Sequence, residues 1–131
     1  MEESRCVIVN KRKKGADYEE AAAEYLMRSG YQILEHNYRS RYGEIDLIAR
    51  EGKTLVFVEV KYRTTDLCGD PLEAVSFRKQ LRICRVADRY LMQKRCPPDT
   101  PCRFDAVAIL GERIRLVRNA FPYIPAGNPV R

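Results

Sequence analysis

Three charged residues in two adjoining apolar segments hold the chemistry of this chain. Asp46 lies in Gly43-Glu-Ile-Asp-Leu-Ile-Ala49, and Glu59 and Lys61 lie in Leu55-Val-Phe-Val-Glu-Val-Lys-Tyr-Arg63. Strand side chains alternate, so Leu55, Phe57, Glu59 and Lys61 share a face and the charged pair prolongs an apolar row. In the first segment Ile45, Leu47 and Ala49 are expected on one row, with Glu44, Asp46 and Ile48 on the other. A Glu51-Gly52 turn would pair Arg50 with Lys53 and set Asp46 opposite Phe57, diagonal to Glu59; a slip of two residues sets it directly opposite Glu59. In either register the two carboxylates approach within about 5–8 Å, a span that one cation bridges. Buried carboxylates beside an ammonium group are tolerated when they find counter-charges or a metal.

Such a set suits phosphodiester hydrolysis, where a divalent ion held by few carboxylates both activates water and neutralises phosphate charge. On this reading Asp46 and Glu59 are ligands to Mg²⁺ or Mn²⁺, and the Val60 carbonyl completes the set. Lys61 orients or deprotonates the water and stabilises developing negative charge, and Glu19 holds a water on the metal or a second ion.

The elements that must position these groups follow from pattern. Asp17 is expected to cap a helix running to Ser29, closed by Gly30, with Glu19, Ala22, Ala23 and Leu26 on its inward stripe. Tyr31–Arg39 reads as a first strand, and the profile of Leu55–Val60 is that of a central strand buried on both faces. Asp70-Pro71-Leu72-Glu73 carries helix-start signals, and the spacing predicts a long helix from there to Pro97-Pro98, with Ala74, Phe77, Leu81, Cys84, Ala87 and Leu91 as its apolar stripe. Arg78, Arg82, Arg85 and Arg89 form a cationic row on that helix with Lys79 beside it; with Arg39 and Arg63 they are candidate nucleic-acid contacts, the alternative being a solvated face. Two strands, Arg103–Leu110 and Ile114–Val117, meet at a Gly111-Glu112 turn. The predicted architecture is α/β: a mixed central sheet of about five strands flanked by two main helices. Residues 1–14 read as a basic flexible arm, 15–118 as a single domain, and 119–131 as a Pro-rich tail that is extended on the surface or mobile.

With 131 residues, 24 Lys and Arg against 18 Asp and Glu, and a net charge of +6, the chain is sized for one domain and biased toward a polyanionic partner. DNA is the expected partner, and a homodimer is one candidate assembly. Five cysteines at irregular spacing do not form a disulfide framework, and Cys96 and Cys102 read as reduced thiols. No apolar run is long enough for a bilayer and no signal segment is evident, so a cytoplasmic protein is expected. His36 has no second histidine or CxxC near it, which argues against a zinc site and for an ordinary surface histidine.

Several of these segments resemble a known family. Glu19-x-x-Ala22-x-x-Tyr25-Leu26, Gly30-Tyr31, Asn37-Tyr38-Arg39, Gly43-Glu-Ile-Asp-Leu-Ile-Ala49, Val56-Phe-Val-Glu-Val-Lys-x-Arg63, Ala74-Val75, Lys79 and Arg103-Phe-Asp105 look like the bacterial YraN-like family, with Tyr18 standing where that family usually has Gly. That family is similar to the PD-(D/E)xK nucleases, which include archaeal Holliday-junction resolvases and restriction endonucleases. The resemblance implies a restriction-endonuclease-like core, and its acids and lysine match Glu19, Asp46, Glu59 and Lys61. It implies a Mg²⁺-dependent endonuclease acting on DNA, with branched DNA as one candidate form. A nucleic-acid-binding protein that keeps the fold without turnover is the alternative.

Overall fold

The structure, a computed structural model, describes residues 5–6, 15–63 and 75–127. Its elements in order are strand β1 (Arg5–Cys6), helix α1 (Gly15–Arg28), strands β2 (Gln32–Ser40), β3 (Gly43–Glu51) and β4 (Thr54–Arg63), helix α2 (Phe77–Gln93), and strands β5 (Cys102–Leu110) and β6 (Arg113–Val117). The strands form one sheet in the order β1-β6-β5-β4-β3-β2. Only β4 and β5 are parallel; the other neighbours are antiparallel. The result is the expected mixed sheet with two flanking helices, an α/β restriction-endonuclease-like core.

Alternation along the inner strands explains the three layers. Val56, Val58, Val107 and Ile109 pack with Ala22 and Leu26 of α1, whereas Leu55, Phe57 and Phe104 pack with Ile83, Cys84 and Ala87 of α2. Leu55 through Glu59 are all buried, which makes β4 the central strand its sequence predicts. Helix α1 buries the stripe of Ala22, Ala23 and Leu26 and exposes Glu20 and Glu24. Its end is closed by Gly30 at φ +97, with Gly30 N–H donating to Met27 and Tyr31 N–H to Leu26, a six-to-one closure that a Cβ would strain.

The structure corrects several expectations. The α1 helix begins at Gly15, so Asp17 stands in its first turn instead of capping it. Arg5 and Cys6 pair with Ile114 and Arg113, so part of the arm is an edge strand; Lys11–Lys14 lie outside the described residues. The start signals at Asp70–Glu73 and the Arg63–Gly69 connection beyond Arg63 also lie outside them, but Val75 and Ser76 are not helical. Instead the Ser76 hydroxyl accepts from Lys79 N–H and caps α2 there.

The buried face of α2 is Ile83, Cys84, Val86, Ala87 and Tyr90, while Phe77 is exposed and Leu81 and Leu91 are half-buried. The helix is therefore turned by about a quarter of a revolution from the predicted stripe. Residues 118–127, those described after β6, form neither helix nor strand, yet they are anchored. Ala120 N–H donates to Phe104, Ile124 N–H to Cys84 Sγ, and Phe121 and Ile124 are buried on the α2 side. Among the described residues Cys84, Cys96 and Cys102 are free thiols, and no helix is long and apolar enough to cross a membrane.

Candidate functional site

The β3–β4 ladder pairs Glu51 with Thr54 and Ala49 with Val56, which is the second of the two registers the sequence allowed. Pairing ends at Leu47–Val58, and beyond it Asp46 Oδ2 accepts a 2.8 Å hydrogen bond from Val60 N–H. A side chain thus takes the amide that a ladder partner would have taken. Val60, expected to offer its carbonyl to a metal, also holds Asp46 through its amide. The strict alternation expected for β3 also breaks here, because Ile45 packs on the α2 side with Ile48 instead of joining Leu47 and Ala49.

This irregularity lies at the carboxyl end of β4, beside the parallel β4–β5 pair, where open α/β sheets characteristically form their crevices. A cleft of about 300 Å³ opens there, lined by Tyr18 and Glu19 from α1, Asp46 from β3, Glu59 to Arg63 from β4 and Lys79 from α2. It gathers all four residues expected to be catalytic.

Two electrostatic groupings meet at the cleft, the first including Glu44 from beside it. Glu19, Glu44 and Asp46 each place a carboxylate oxygen within 4.8 Å of the others. Burial, and then the charge of Glu59, push the Asp46 carboxyl up to about 8, with Glu19 adding to the rise and the Val60 N–H opposing it. Glu59 is 5% exposed and stands outside that trio. Its Oε2 lies 3.5 Å from Lys61 Nζ and pairs more closely with Lys79 Nζ. Burial lowers Lys61 from its ordinary value, the neighbouring Lys79 lowers it further, and Glu59 pulls the other way. Burial would lower Lys79 too, but its bonds to Glu59 and Lys61 and the charges of Glu59 and Asp46 together outweigh that and hold it above the usual value.

The donor set fits a hard divalent cation. Three carboxylates offer oxygen alone, as Mg²⁺ and Mn²⁺ prefer, and Asp46 lacks a cation of its own strong enough to offset its burial. The other wall of the cleft is aromatic: Tyr18 and Tyr62 stack with ring centroids 3.7 Å apart.

The expected nucleic-acid contacts separate. Lys79 enters the cleft and Arg63 lines it. Arg39 is exposed and pairs with Glu44 at 3.2 Å. Arg78, Arg82 and Arg89 are exposed. Arg85 instead holds the chain after β6: it bonds the Ile124 carbonyl, pairs with Asp88 at 3.3 Å and lies over the Tyr123 ring.

Alternation alone puts Glu44 on the row of Asp46 but assigns it no role; the two-residue spacing is the signal that it follows Asp46 into the site. Lys79 groups with the helix cations in the sequence because its inward position depends on the rotation of α2. Tyr42, exposed at the turn between β2 and β3, carries no comparable signal.

At the opposite end of β4 a second polar cluster is structural. Asp105, fully buried, accepts from Arg103 Nε at 2.9 Å, from the Tyr31 hydroxyl at 2.8 Å and from Asn119 N–H at 2.9 Å. Arg103 and Arg118 both bond Glu51, at 2.7 and 2.6 Å.

The family model described as Uncharacterised protein family UPF0102 matches residues 18–109, a span that contains most of both clusters. A UPF0102 protein of Lachnoclostridium phytofermentans is 55% identical over 86% of this chain and 96% of its own length. UPF0102 proteins of Nitrosomonas eutropha and Caldicellulosiruptor saccharolyticus are 46% and 42% identical, covering 84% and 86% of this chain and 94% and 100% of theirs. With the acids of β3 and β4 inside the matched span and the relatives aligned over nearly their whole length, this chain belongs to the UPF0102 family, the YraN-like family its motifs resemble.

Proposed function

We propose that this protein hydrolyses phosphodiester bonds in DNA with the help of Mg²⁺ or Mn²⁺. The observation that supports this best is one open cleft at the carboxyl end of β4 that holds Glu19, Asp46 and a twice-paired Glu59, with Glu44 beside it completing an all-oxygen trio with the first two. Glu19, Glu44 and Asp46, with Glu59 in the same cleft as Glu19 and Asp46, would hold the cation. When bound, such an ion neutralises phosphate charge and makes water more acidic. Lys61 and Lys79 present two ammonium groups, from the sheet and from the helix, to a phosphate resting in the cleft. They stabilise the charge that grows as the bond to the leaving oxygen breaks. Val60 N–H fixes the Asp46 carboxylate so that it meets the cation without reorganising.

The experiment combines binding and turnover. Wild type and Asp46→Asn are incubated with Mg²⁺ or Mn²⁺ and with linear duplex, single-stranded or four-way-junction DNA. Cleavage by wild type that Asp46→Asn abolishes supports the reading. At a free Mn²⁺ concentration a hundredfold above its Kd, wild type should gain about 2.7 kcal/mol of stability that Asp46→Asn lacks. DNA binding without cleavage of any form, in either metal, returns the protein to the non-catalytic binding alternative, which the double pairing of Glu59 with lysines would then favour.

A further inference from the structure

We propose that Tyr42 is a stacking platform for an unpaired base, and that the DNA entering this site therefore carries a single-stranded segment. The inference rests on the phosphodiester reading above and narrows its substrate. Tyr42 is 39% exposed at the turn between β2 and β3, two residues before Glu44 of the acid trio. The turn is held in place: Tyr42 N–H donates to Ser40 Oγ at 3.1 Å, and Arg41 Nη2 donates to the Tyr42 hydroxyl at 3.0 Å. The Arg41 guanidinium lies 5.1 Å from the ring centroid. An aromatic ring with a cation across it and solvent around it is the arrangement that takes a base on its free surface.

The position of the turn relates the ring to the cleft. A Cβ at Gly43 would stand 4.0 Å from Val86 Cγ2, so the turn rests against α2. Val86 follows Lys79 by seven residues, about 10 Å along the helix axis. Lys79 at the cleft and Val86 at the turn thus lie on one flank of α2, with exposed Arg82 between them and exposed Arg89 beyond. The hydroxyl of Tyr42 is lowered from its ordinary value chiefly by the hydrogen bond and charge of Arg41; burial opposes this, and the charges of Arg89 and Arg85 add a smaller lowering from the helix. A strand leaving the cleft along this flank meets arginines and then an aromatic face. Bases in an intact duplex are already stacked and paired and offer no free face, whereas those of a single strand, a flap or an open junction do.

The test uses the full chain in EDTA, so that nothing is cut, and measures by fluorescence anisotropy the Kd for a fluorescein-labelled single strand and for a blunt duplex of equal length. Tyr42→Ala should weaken single-strand binding about tenfold, as expected when one base loses its stacking partner. Duplex binding should stay within twofold, and Tyr42→Phe should restore the single-strand value. Unchanged melting of Tyr42→Ala would confirm that the turn still folds. If Tyr42→Ala leaves single-strand affinity unchanged, or weakens both DNA forms equally, the stacking role is overturned while the phosphodiester reading stands. If wild type binds neither form in EDTA, the stacking role is overturned, while the phosphodiester reading is decided by the cleavage assay with metal.

Discussion

The charges around Glu59 divide a task between two lysines. Lys61 comes from the same strand, two residues on, while Lys79 arrives from α2 and makes the closer pair. Replacing Lys61 by Met should cut turnover by roughly 10²–10⁴ while leaving DNA affinity nearly unchanged, because charge stabilisation is removed mainly from the transition state. Lys79→Met should behave similarly in turnover. A single lysine is left on the Glu59 carboxylate in each variant, so neither should unfold the protein; kinetics and melting on the same samples check both points. The convergence of Glu19, Asp46, Glu59 and Lys61 was legible in the sequence because charges that interrupt apolar rows are visible as such. Their detailed pairing was not. It depends on which of two registers the turn selects and on the break at Ile45–Asp46, where a side-chain hydrogen bond replaces a ladder bond. Such a break is decided by the neighbouring strand and leaves no mark in local alternation.

At the scale of elements, α2 carries the largest difference between expectation and structure. Its sequence is apolar over a wide arc, and Ile83, Val86, Ala87 and Tyr90 satisfy helical spacing as well as Leu81, Cys84 and Leu91 do. Packing against the sheet and against Phe121 and Ile124 settles the choice. That rotation carries Lys79 into the cleft and divides the arginine row into exposed Arg78, Arg82 and Arg89 and an Arg85 tied to the chain after β6. Replacing Arg82 and Arg89 together by Gln should flatten the dependence of log K on log salt by about 0.9 for each phosphate that is no longer neutralised, measured on duplex DNA. Arg85→Gln should leave the slope unchanged and lower the melting temperature, since Arg85 ties the chain after β6 to the helix. The elements themselves were readable: α1 with its Gly30 closure, the β3–β4 hairpin and the β5–β6 turn lie close to where pattern put them. The short β1 was not, because two residues on a sheet edge carry no period.

For the molecule as a whole, the ends of β4 have separate duties. The cleft end keeps charges poised, and the other end uses its charges to hold layers together. Arg103→Met would leave the buried Asp105 without its cation, at a cost of about 3–5 kcal/mol by analogy with broken buried pairs, visible in chemical denaturation. The same cluster sets an acid limit. Burial alone would raise Glu51, but bonds from Arg118 and Arg103 overcome it and hold its pKa below the ordinary 4.5. A carboxylate depressed in the fold contributes stability above its unfolded value, and that contribution disappears as pH falls through the lower, folded value. Stability should therefore decline below about pH 4.5, and Glu51→Gln should remove part of that decline; melts across about pH 3–7 on both proteins test the sign.

The parallel pairing of β4 with β5 also bears on how the molecule comes into being. Strands β2, β3 and β4 are joined by tight turns, so they meet early and at little loop-closure cost. Leu55 reaches Cys102 only after the chain has passed through α2 and returned, and closures of that span are slow. A newly made chain would thus bring together Asp46, Glu59 and Lys61 on a local meander before Lys79 docks. During that interval the acid face of the hairpin stands without its helix cation, and the divalent ion of the proposed function, bound early, would act as a folding aid.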